Sequence, residues 1–477
     1  RGAAAVTHGP DAAARLVAAG MRAREAEAKA GLHARCVAAL DAMRRDVGGA
    51  AERAATERAA TERPATECAA TERAAFFVPG RIEILGKHTD YAGGRSLLCA
   101  VERGFVVVAA PRADAAVTVT DARLGETRLL ALDPELAVPR GDWGAYVAAC
   151  VRRVARNFPA ARRGASIAFA SDLPPASGMS SSSALSTAVF LALDAVNRLA
   201  DDPRYRAAIP TREALAGYLG TIENGQSFGA LAGDLGVGTF GGSEDHTAIL
   251  CCRSGVVSRY SFAPVRAEGE IALPVDVTFV VAHSGVEAEK GAGAQALYNE
   301  LSLGAQRILA LWNDATGRAD PSLAAAVASA PDAPARIRDV VARATPRDFT
   351  PERLRERFDQ FVLESTDVIP RAAEALARGD LAAFGAQVAR SQRGAETMLR
   401  NQIPETIALV ALAHREGAVA ASAFGAGFGG SVWALVRADG AERFAERWAA
   451  GYAREFPEAA ARAVFLVTGA GPGAMRL

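Results

Sequence analysis

Apolar positions in residues 11–45 recur mostly at helical spacing. Leu16, Val17, Met21, Leu32, Cys36, Leu40 and Met43 stand among Ala, Arg and Glu, which predicts helix. From Ala51 to Ala75 the chain repeats a short unit, AERAATERAATERPATECAATERAA. Its composition favours helix, but Pro64 interrupts it and its period keeps no single apolar face. The repeat is expected to be a surface insertion, mobile or partly helical, without catalytic content. At Phe76 the pattern changes. FFVPGRIEILG, SLLCAVERGFVVVAAPR and AAVTVTDARLGETRLLAL predict strands, and Trp143 to Phe158 predicts helix. GASIAFASDLPPASGMSSSSALSTAVFLALDAVNRLA predicts strand, tight loop and long helix. VVSRYSFAP and VDVTFVVAHSG follow as strands, then a helical stretch to about Glu416. AVAASAFGAGFGGSVWALVR returns to strand, followed by a helix over 440–454 and a last strand in RAVFLVTGAG.

The alternation lacks the regular βαβ repeat of roughly 30 residues that builds a nucleotide-binding parallel sheet. The fold class it predicts is α+β in two lobes. The divisions are an N-terminal helical and low-complexity extension over 1–75, a first lobe over 76–255 and a second over 256–477, joined near 255–275.

Composition narrows the function. The chain has 477 residues, 54 Lys+Arg against 54 Asp+Glu, and 50% hydrophobic residues. It is long enough for sizeable cores, and a balanced charge argues against a nucleic-acid partner. No apolar run reaches the ~18 residues of a membrane span, and no secretory signal is visible. The six cysteines form no CxxC pair, which suits reduced thiols in a cytoplasmic enzyme. Cys251 and Cys252 close a strand-like run and are expected to pack as small hydrophobes. The histidines show no HxxxH or HExxH spacing, so zinc is not expected.

Four segments carry candidate chemistry. In LPPASGMSSSSALS, Leu173 to Ser186, prolines stop a strand, Gly178 permits a tight backbone, and a serine run opens a helix. A helix N-terminus with added hydroxyls suits phosphate, and one serine could ligate Mg²⁺. The alternative is a serine N-cap on a core helix, although the run is longer than a cap needs. PGRIEILGKHTDYAGGRS, Pro79 to Ser96, gathers Arg81, Lys87, His88, Asp90 and Tyr91 between strands. Such polar density suits a hydroxyl-rich ligand, or a charged turn. In GTFGGSEDHTAIL, Gly238 to Leu250, Asp245 could orient or deprotonate a hydroxyl, or be a solvated turn residue. FGAGFGGSVWALV, Phe424 to Val436, lets backbone approach a ligand or merely turn.

Together these segments resemble the GHMP kinase superfamily and, within it, the galactokinase branch, over about residues 76–477. GRIEILGKHTDYAGG is similar to the sugar-site signature, PPASGMSSSSA to the phosphate loop, and GAGFGGS to the third glycine motif. The resemblance implies the two-lobed GHMP kinase fold, with a mixed α/β N-terminal lobe and a ferredoxin-like C-terminal lobe. It implies an ATP-dependent sugar 1-kinase using ATP and Mg²⁺. It places ATP on Gly178, Met179, Ser180, Ser181 and Ser182, the metal on Ser182 and Glu223, catalysis on Asp245 and Arg81, and the sugar on Lys87, His88, Asp90 and Tyr298. It further implies a monomeric, cytoplasmic enzyme whose partners are a small-molecule sugar and ATP, with no nucleic acid and no membrane.

The chain departs from the family pattern at two places. Lys87 stands where galactokinases carry a glutamate expected at the sugar's outer end. A cation there would pair with a uronic acid, a pentose would not need the glutamate, and the alternative is a Lys87 turned outward to solvent. The family's Met-Asp-Gln becomes Glu244-Asp245-His246, and extra residues separate it from Glu223. Both departures suggest altered specificity. The remaining alternatives are a GHMP kinase acting on another alcohol and a non-catalytic sugar- and ATP-binding regulator.

Overall fold

Strands β1 (Ala74–Leu85) and β2 (Arg95–Pro111) form a long antiparallel hairpin, from Ala74 opposite Ala109 to Leu85 opposite Leu97. The computed structural model that shows this describes residues 9–58, 73–139, 141–174, 177–286 and 292–477. The hairpin register shifts between Pro79 and Arg81 and again between Glu83 and Leu85. Bulges are where a central strand tolerates proline, and they re-aim side chains. Here they flank Arg81 and Glu83.

The first sheet continues with β3 (Ala116–Asp121), β4 (Thr127–Ala131), β5 (Ala165–Ser171), β6 (Val256–Ser261) and β7 (Arg266–Ala272). The strand order is β12-β1-β2-β5-β3-β4, where β12 is Met475–Arg476, and β6 pairs with the near end of β2 and carries β7. Among the described residues, β3 and β5 are the one parallel pair. Side chains alternate across the sheet. Val107, Ala109, Ile167 and Phe169 join one core, and Val106, Val108, Ala110, Ala168 and Ala170 face the other way. Both faces are covered, so these strands read as continuous apolar runs.

Helices α1 (Gly9–Ala18) and α2 (Ala23–Arg58) cover the second face through Leu16, Met21, Cys36 and Leu40. The backbone N–H and side chain of Arg22 donate to Glu102 at 2.8 and 2.6 Å, and Lys29 Nζ lies 2.5 Å from Asp172 Oδ2. The N-terminal helices are thus part of the first lobe's packing. Helix α2 enters the repeat, whose later residues, 59–72, lie outside the described residues.

The other face carries α3 (Gly144–Asn157), α4 (Ser181–Asn197), α5 (Pro203–Ala208), α6 (Arg212–Asn224) and α7 (Glu244–Cys251). The apolar run ending at Cys251 is therefore a short helix and not a strand; Thr247, Ala248, Ile249 and Leu250 are all buried in it.

The second sheet contains β8 (Val277–His283), β9 (Ala420–Phe424), β10 (Ser431–Arg437) and β11 (Val464–Thr468), all antiparallel in the order β11-β8-β10-β9. With helices between β8 and β9 and α15 (Ala441–Glu455) between β10 and β11, this is the ferredoxin-like arrangement. The first crossover is long: α8 (Ala292–Thr316), α9 (Leu323–Ala328), α10 (Ala333–Arg343), α11 (Pro351–Val362), α12 (Ile369–Ala377), α13 (Leu381–Gly394) and α14 (Pro404–Arg415). Part of it forms a separate core around Trp312, Phe358 and Phe361. A π-helical segment, Leu363–Val368, links α11 to α12.

The passage between sheets follows Ala272. Residues 256–261 hydrogen-bond to β2, with Arg95 opposite Ser261 and Leu98 opposite Ser258, residues 266–272 pair in turn with 256–261, and the C-terminal β12 returns to β1. The first lobe's sheet therefore includes strands on both sides of residue 255.

Candidate active site

A cleft of about 2290 Å³ lies where the two sheets meet, lined by the four motif segments. Its phosphate-loop wall runs from the end of β5 into α4. Gly178 has φ +69 and Ser180 φ +60, the left-handed region, so the chain reverses sharply before the helix. Gly80 lets this loop settle on β1, because a Cβ there would meet Met179 O at 2.8 Å and Leu173 at 2.7 Å. Ser180 occupies the N-cap of α4 yet its side chain caps nothing. The hydroxyls of Ser177 and Ser181 are buried with no hydrogen-bond partner, and that of Ser180 faces Asp245. Orphaned hydroxyls beside a helix N-terminus fit an anion and not a self-satisfied cap. Ser180, Ser181 and Ser182 line the cleft. Met179 does not: its side chain is fully buried in the core, and its carbonyl accepts from Arg81 N–H at 3.3 Å. Met179, expected with its neighbours at the nucleotide, thus turns its side chain away from the cleft and shapes the loop from below.

Arg81 and Asp245 meet at the centre. Arg81 Nε donates to Asp245 Oδ1 at 2.7 Å, Nη2 lies 2.6 Å from the same oxygen, and Nη1 donates to Gly178 O at 2.5 Å. The guanidinium also lies 5.8 Å from the centre of the Phe424 ring. Burial, the largest single influence, would raise the Asp245 pKa, but the Arg81 charge and hydrogen bond, the Ser180 hydroxyl and His246 together outweigh it and hold the carboxyl below its ordinary value. Asp245 sits in the first turn of α7, where the helix dipole also favours the anion. Its side chain is 31% exposed to the cleft, while that of Arg81 is only 5% exposed. A reachable carboxylate is thus backed by a buried cation. Ser183 donates to the other oxygen, Oδ2, at 3.4 Å.

The loop between β1 and β2 supplies the polar floor. His88 has φ +57. Its Nδ1 lies 3.1 Å from Tyr91 Oη and its Nε2 3.0 Å from Ala426 O. The carbonyl requires the proton on Nε2, so Nδ1 accepts from Tyr91, which in turn accepts from Arg357 at 3.2 Å. Burial, and then the Arg357 charge, push the His88 pKa down to about 3, so the ring is neutral. Asp90 Oδ2 accepts from Glu244 N–H at 3.1 Å, and burial raises its pKa. Tyr298 lies 5.2 Å from His88, ring to ring, and lines the cleft with Asp90. The structure therefore gathers His88, Asp90 and Tyr298 in one place, although Tyr298 is remote in sequence.

Lys87 is the exception. It was expected at the sugar, but it does not line the cleft. The residue is 1% exposed, and its ammonium donates to Ser422 at 2.7 Å and Ser391 at 3.1 Å inside the second lobe. The physical reason is a hydrogen-bond network in the second lobe that captures the ammonium: Ser391 also donates to the buried Glu364 side chain on the π-helical segment at 2.8 Å, and Glu364 accepts from Gly86 N–H at 2.9 Å. The loop is further clamped by Gln360 on the Lys87 carbonyl at 3.0 Å and by Arg357 on the His88 carbonyl at 2.5 Å.

Glu223, at the end of α6, lines the cleft, and its Oε1 is buried without a hydrogen bond, 3.3 Å from His246 Nε2. A carboxylate and a serine hydroxyl are hard oxygen donors, and Mg²⁺ commonly takes a few such ligands and completes its shell with phosphate and water. Glu223 and Ser182 fit that use. Among the described residues no group of three His, Cys, Asp or Glu side chains is gathered tightly enough to hold a metal by itself.

Sequence reasoning missed three parts of the site and noted a fourth, Glu244, without giving it a specific role. Glu83 stands two residues beyond Arg81 on β1, and strand periodicity was a usable signal. Glu244 is buried beside Asp245 and accepts from Ser96 Oγ at 2.5 Å. Burial, then Glu83 and Asp90, drive its pKa well up. Asp234 anchors the extra segment between Glu223 and Asp245 through ion pairs to Arg152 at 2.9 Å and Arg153 at 3.1 Å. At the far end, Trp143 stacks edge-on against Phe169 at 5.4 Å and gives the cleft an aromatic wall.

Both the sequence and the fold resemble those of known proteins. The sequence matches the family models "Galactokinase galactose-binding signature" over residues 66–111, "GHMP kinases N terminal domain" over 145–229 and "GHMP kinases C terminal" over 372–454. It is 28% identical over 380 residues to a galactokinase of Chloroflexus aurantiacus, spanning 79% of this chain and 87% of that protein. It is 31% identical over 179 residues to a galactokinase of Glaesserella parasuis, spanning 37% of this chain and 44% of that one. In structure it resembles Lactococcus lactis galactokinase complexed with galactose, at TM-score 0.70 and 24% identity, covering 85% of this chain and 96% of that chain. Methanococcus jannaschii mevalonate kinase aligns at TM-score 0.50 and 13% identity, over 84% and 99%. The chain belongs to the GHMP kinase superfamily. The signature at the sugar loop and the curated relatives set it, within that superfamily, among the galactokinase-like sugar kinases.

Proposed function

We propose that this protein is an ATP-dependent sugar 1-kinase of the galactokinase type, transferring the γ-phosphoryl group of ATP to the anomeric hydroxyl of galactose or a closely related sugar. The observation that carries the reading is the Arg81 guanidinium, which joins Asp245 to the phosphate loop at Gly178 O. The acceptor's proton site and the donor's phosphate site are thereby fixed to each other.

Phosphoryl transfer asks a protein mainly for positioning and charge stabilisation. In this reading His88, Asp90 and Tyr298 hold sugar hydroxyls. The anomeric hydroxyl gives its proton to Asp245 as its oxygen bonds to the γ-phosphorus and the bond to the β-phosphate oxygen breaks, leaving ADP. Arg81 stabilises the charge that develops between them. The α4 N–H groups and the hydroxyls of Ser180 and Ser181 bind the phosphates, and Ser182 and Glu223 would hold Mg²⁺. When bound, Mg²⁺ neutralises phosphate charge.

An ATP donor and the free thiols of Cys36, Cys99, Cys150, Cys251 and Cys252 suit a cytoplasmic enzyme. Among the described residues no helix is long and apolar enough to cross a membrane.

The test is ADP release with Mg·ATP against galactose, arabinose and glucose, with Asp245→Asn in parallel. Turnover with galactose or a near relative, lost in the variant, is expected. Sugar and nucleotide binding without turnover for any of the three would overturn the kinase reading and favour a regulator.

A further inference from the structure

The cleft carries a carboxylate that none of these steps uses. Glu83 lines it and is 3% exposed. Its Oε2 accepts from Gly425 N–H at 3.3 Å, which fixes the side chain, but Oε1 is buried with no partner. A buried acceptor left unpaired is costly, and its natural complement is a donor brought in by a ligand. The nearby cations are already engaged: Arg81 by Asp245 and Gly178, and Lys87 by Ser391 and Ser422. Glu83, Asp90, Glu244 and Asp245 all line this part of the cleft. The neutral His88 adds no charge to balance them.

We propose that Glu83 is a specificity-determining residue, whose free oxygen takes a hydrogen bond from a donor group of the sugar and whose side chain sets the site against sugars carrying a carboxylate. The inference rests on the sugar-kinase reading. It reverses the expectation raised by Lys87: with the ammonium turned away and a carboxyl group in its stead, a uronic acid is disfavoured, while hydroxyl and ammonium donors are accepted. A raised Glu83 pKa, pushed up to about 7 by burial, lets the group meet donors of either kind.

The test compares galactose, galactosamine and galacturonate with the full-length protein and with Glu83→Gln, by calorimetric binding and by ADP release at pH 8. For the wild type, galacturonate is expected to bind at least about 100-fold more weakly than galactose, with galactosamine within about tenfold of galactose. Glu83→Gln is expected to raise the galactose KM about tenfold, more than it lowers kcat, and to narrow the galactose-to-galacturonate ratio about tenfold. An unchanged KM and ratio in a variant that melts like the wild type would overturn the proposal. So would wild-type preference for galacturonate, a result that does not depend on the variant folding. Binding that discriminates as expected without turnover would sink the kinase reading and leave this one standing.

Discussion

Arg81 reaches Asp245 and Gly178 O with different nitrogens of one guanidinium, at 2.6–2.7 Å and 2.5 Å. Burial works against its charge, but Asp245, Glu244 and Glu83 around it outweigh burial and keep it protonated. A planar fork can serve two partners in fixed directions; an ammonium cannot. Arg81→Lys is therefore expected to lower kcat by about 10²-fold or more, and Asp245→Asn by about 10³-fold, with sugar and ATP affinities changed only a few-fold. Steady-state kinetics with calorimetry on the same preparations checks this. An Arg81→Lys enzyme within about threefold of wild-type kcat would contradict the bridging role.

Lys87 makes its contribution to the fold. Removing its charge takes from Glu83 the stronger of its two neighbouring cations, Arg81 being the other, and strands two serine hydroxyls. Lys87→Met is expected to cost about 3–5 kcal/mol, measured by urea unfolding. Surviving folded protein should keep the wild-type ranking of sugars. A stable variant with a reordered sugar ranking would return Lys87 to the substrate.

The same residue shows where the sequence is legible and where it is not. The phosphate loop, the His-Thr-Asp-Tyr loop and the third glycine motif are local patterns, and the four-strand ferredoxin-like lobe follows from strands read directly off apolar runs. Arg81, Asp245, His88, Asp90 and Glu223 come together in the cleft as their motifs suggest. The direction of Lys87 depends on Glu364, Ser391 and Ser422, which lie about 280 to 330 residues later and carry no motif. A motif gives the residue type at a position; which partner captures a long side chain is decided by burial across the fold. The hairpin at 256–272 joined the first sheet for a related reason, since strand pairing leaves little trace in a single strand's composition.

Glu83 gives the chain a pH signature with a definite sign. Its pKa in the folded protein, about 7, lies above its ordinary value of 4.5, with burial as the main cause and Lys87, Arg81, Glu364 and Gly425 N–H as the groups facing it. The folded state then binds more protons than the unfolded state between those values. The stabilising contribution is complete below pH 4.5 and is lost as pH rises to about 7. Glu244 is shifted in the same direction and steepens the wild-type profile. Glu83→Gln removes one titration, so its melting temperature relative to wild type should rise between pH 5 and pH 8. Melting curves at the two pH values that differ by the same amount would show that Glu83 does not titrate there.

Asp234 ties the extra segment to the body of the first lobe. Its side chain is 2% exposed and holds Arg152 and Arg153 of α3, whose own side chains are 8% and 0% exposed. Burial alone would raise its pKa, but the Arg153 hydrogen bond, Gly236 N–H and Arg152 bring it below the ordinary 3.8. That stabilisation is present above pH 3.8 and is lost as pH falls through the lower folded value. The segment's two ends are the residues that matter most: Glu223 before it and Asp245 after it. Gly225, Gly236 and Gly242 within it line the cleft. Asp234→Asn leaves two guanidinium groups buried without their counter-ion, and Arg152 Nη2 and Arg153 Nε already lack partners. A loss of about 3–5 kcal/mol is expected. Because both ends of the segment relax together, kcat should fall about tenfold even at temperatures where the variant remains folded. Single-turnover rates measured beside urea unfolding separate the two effects. A destabilised variant with wild-type kcat would mean that the segment braces the fold without positioning Glu223 and Asp245.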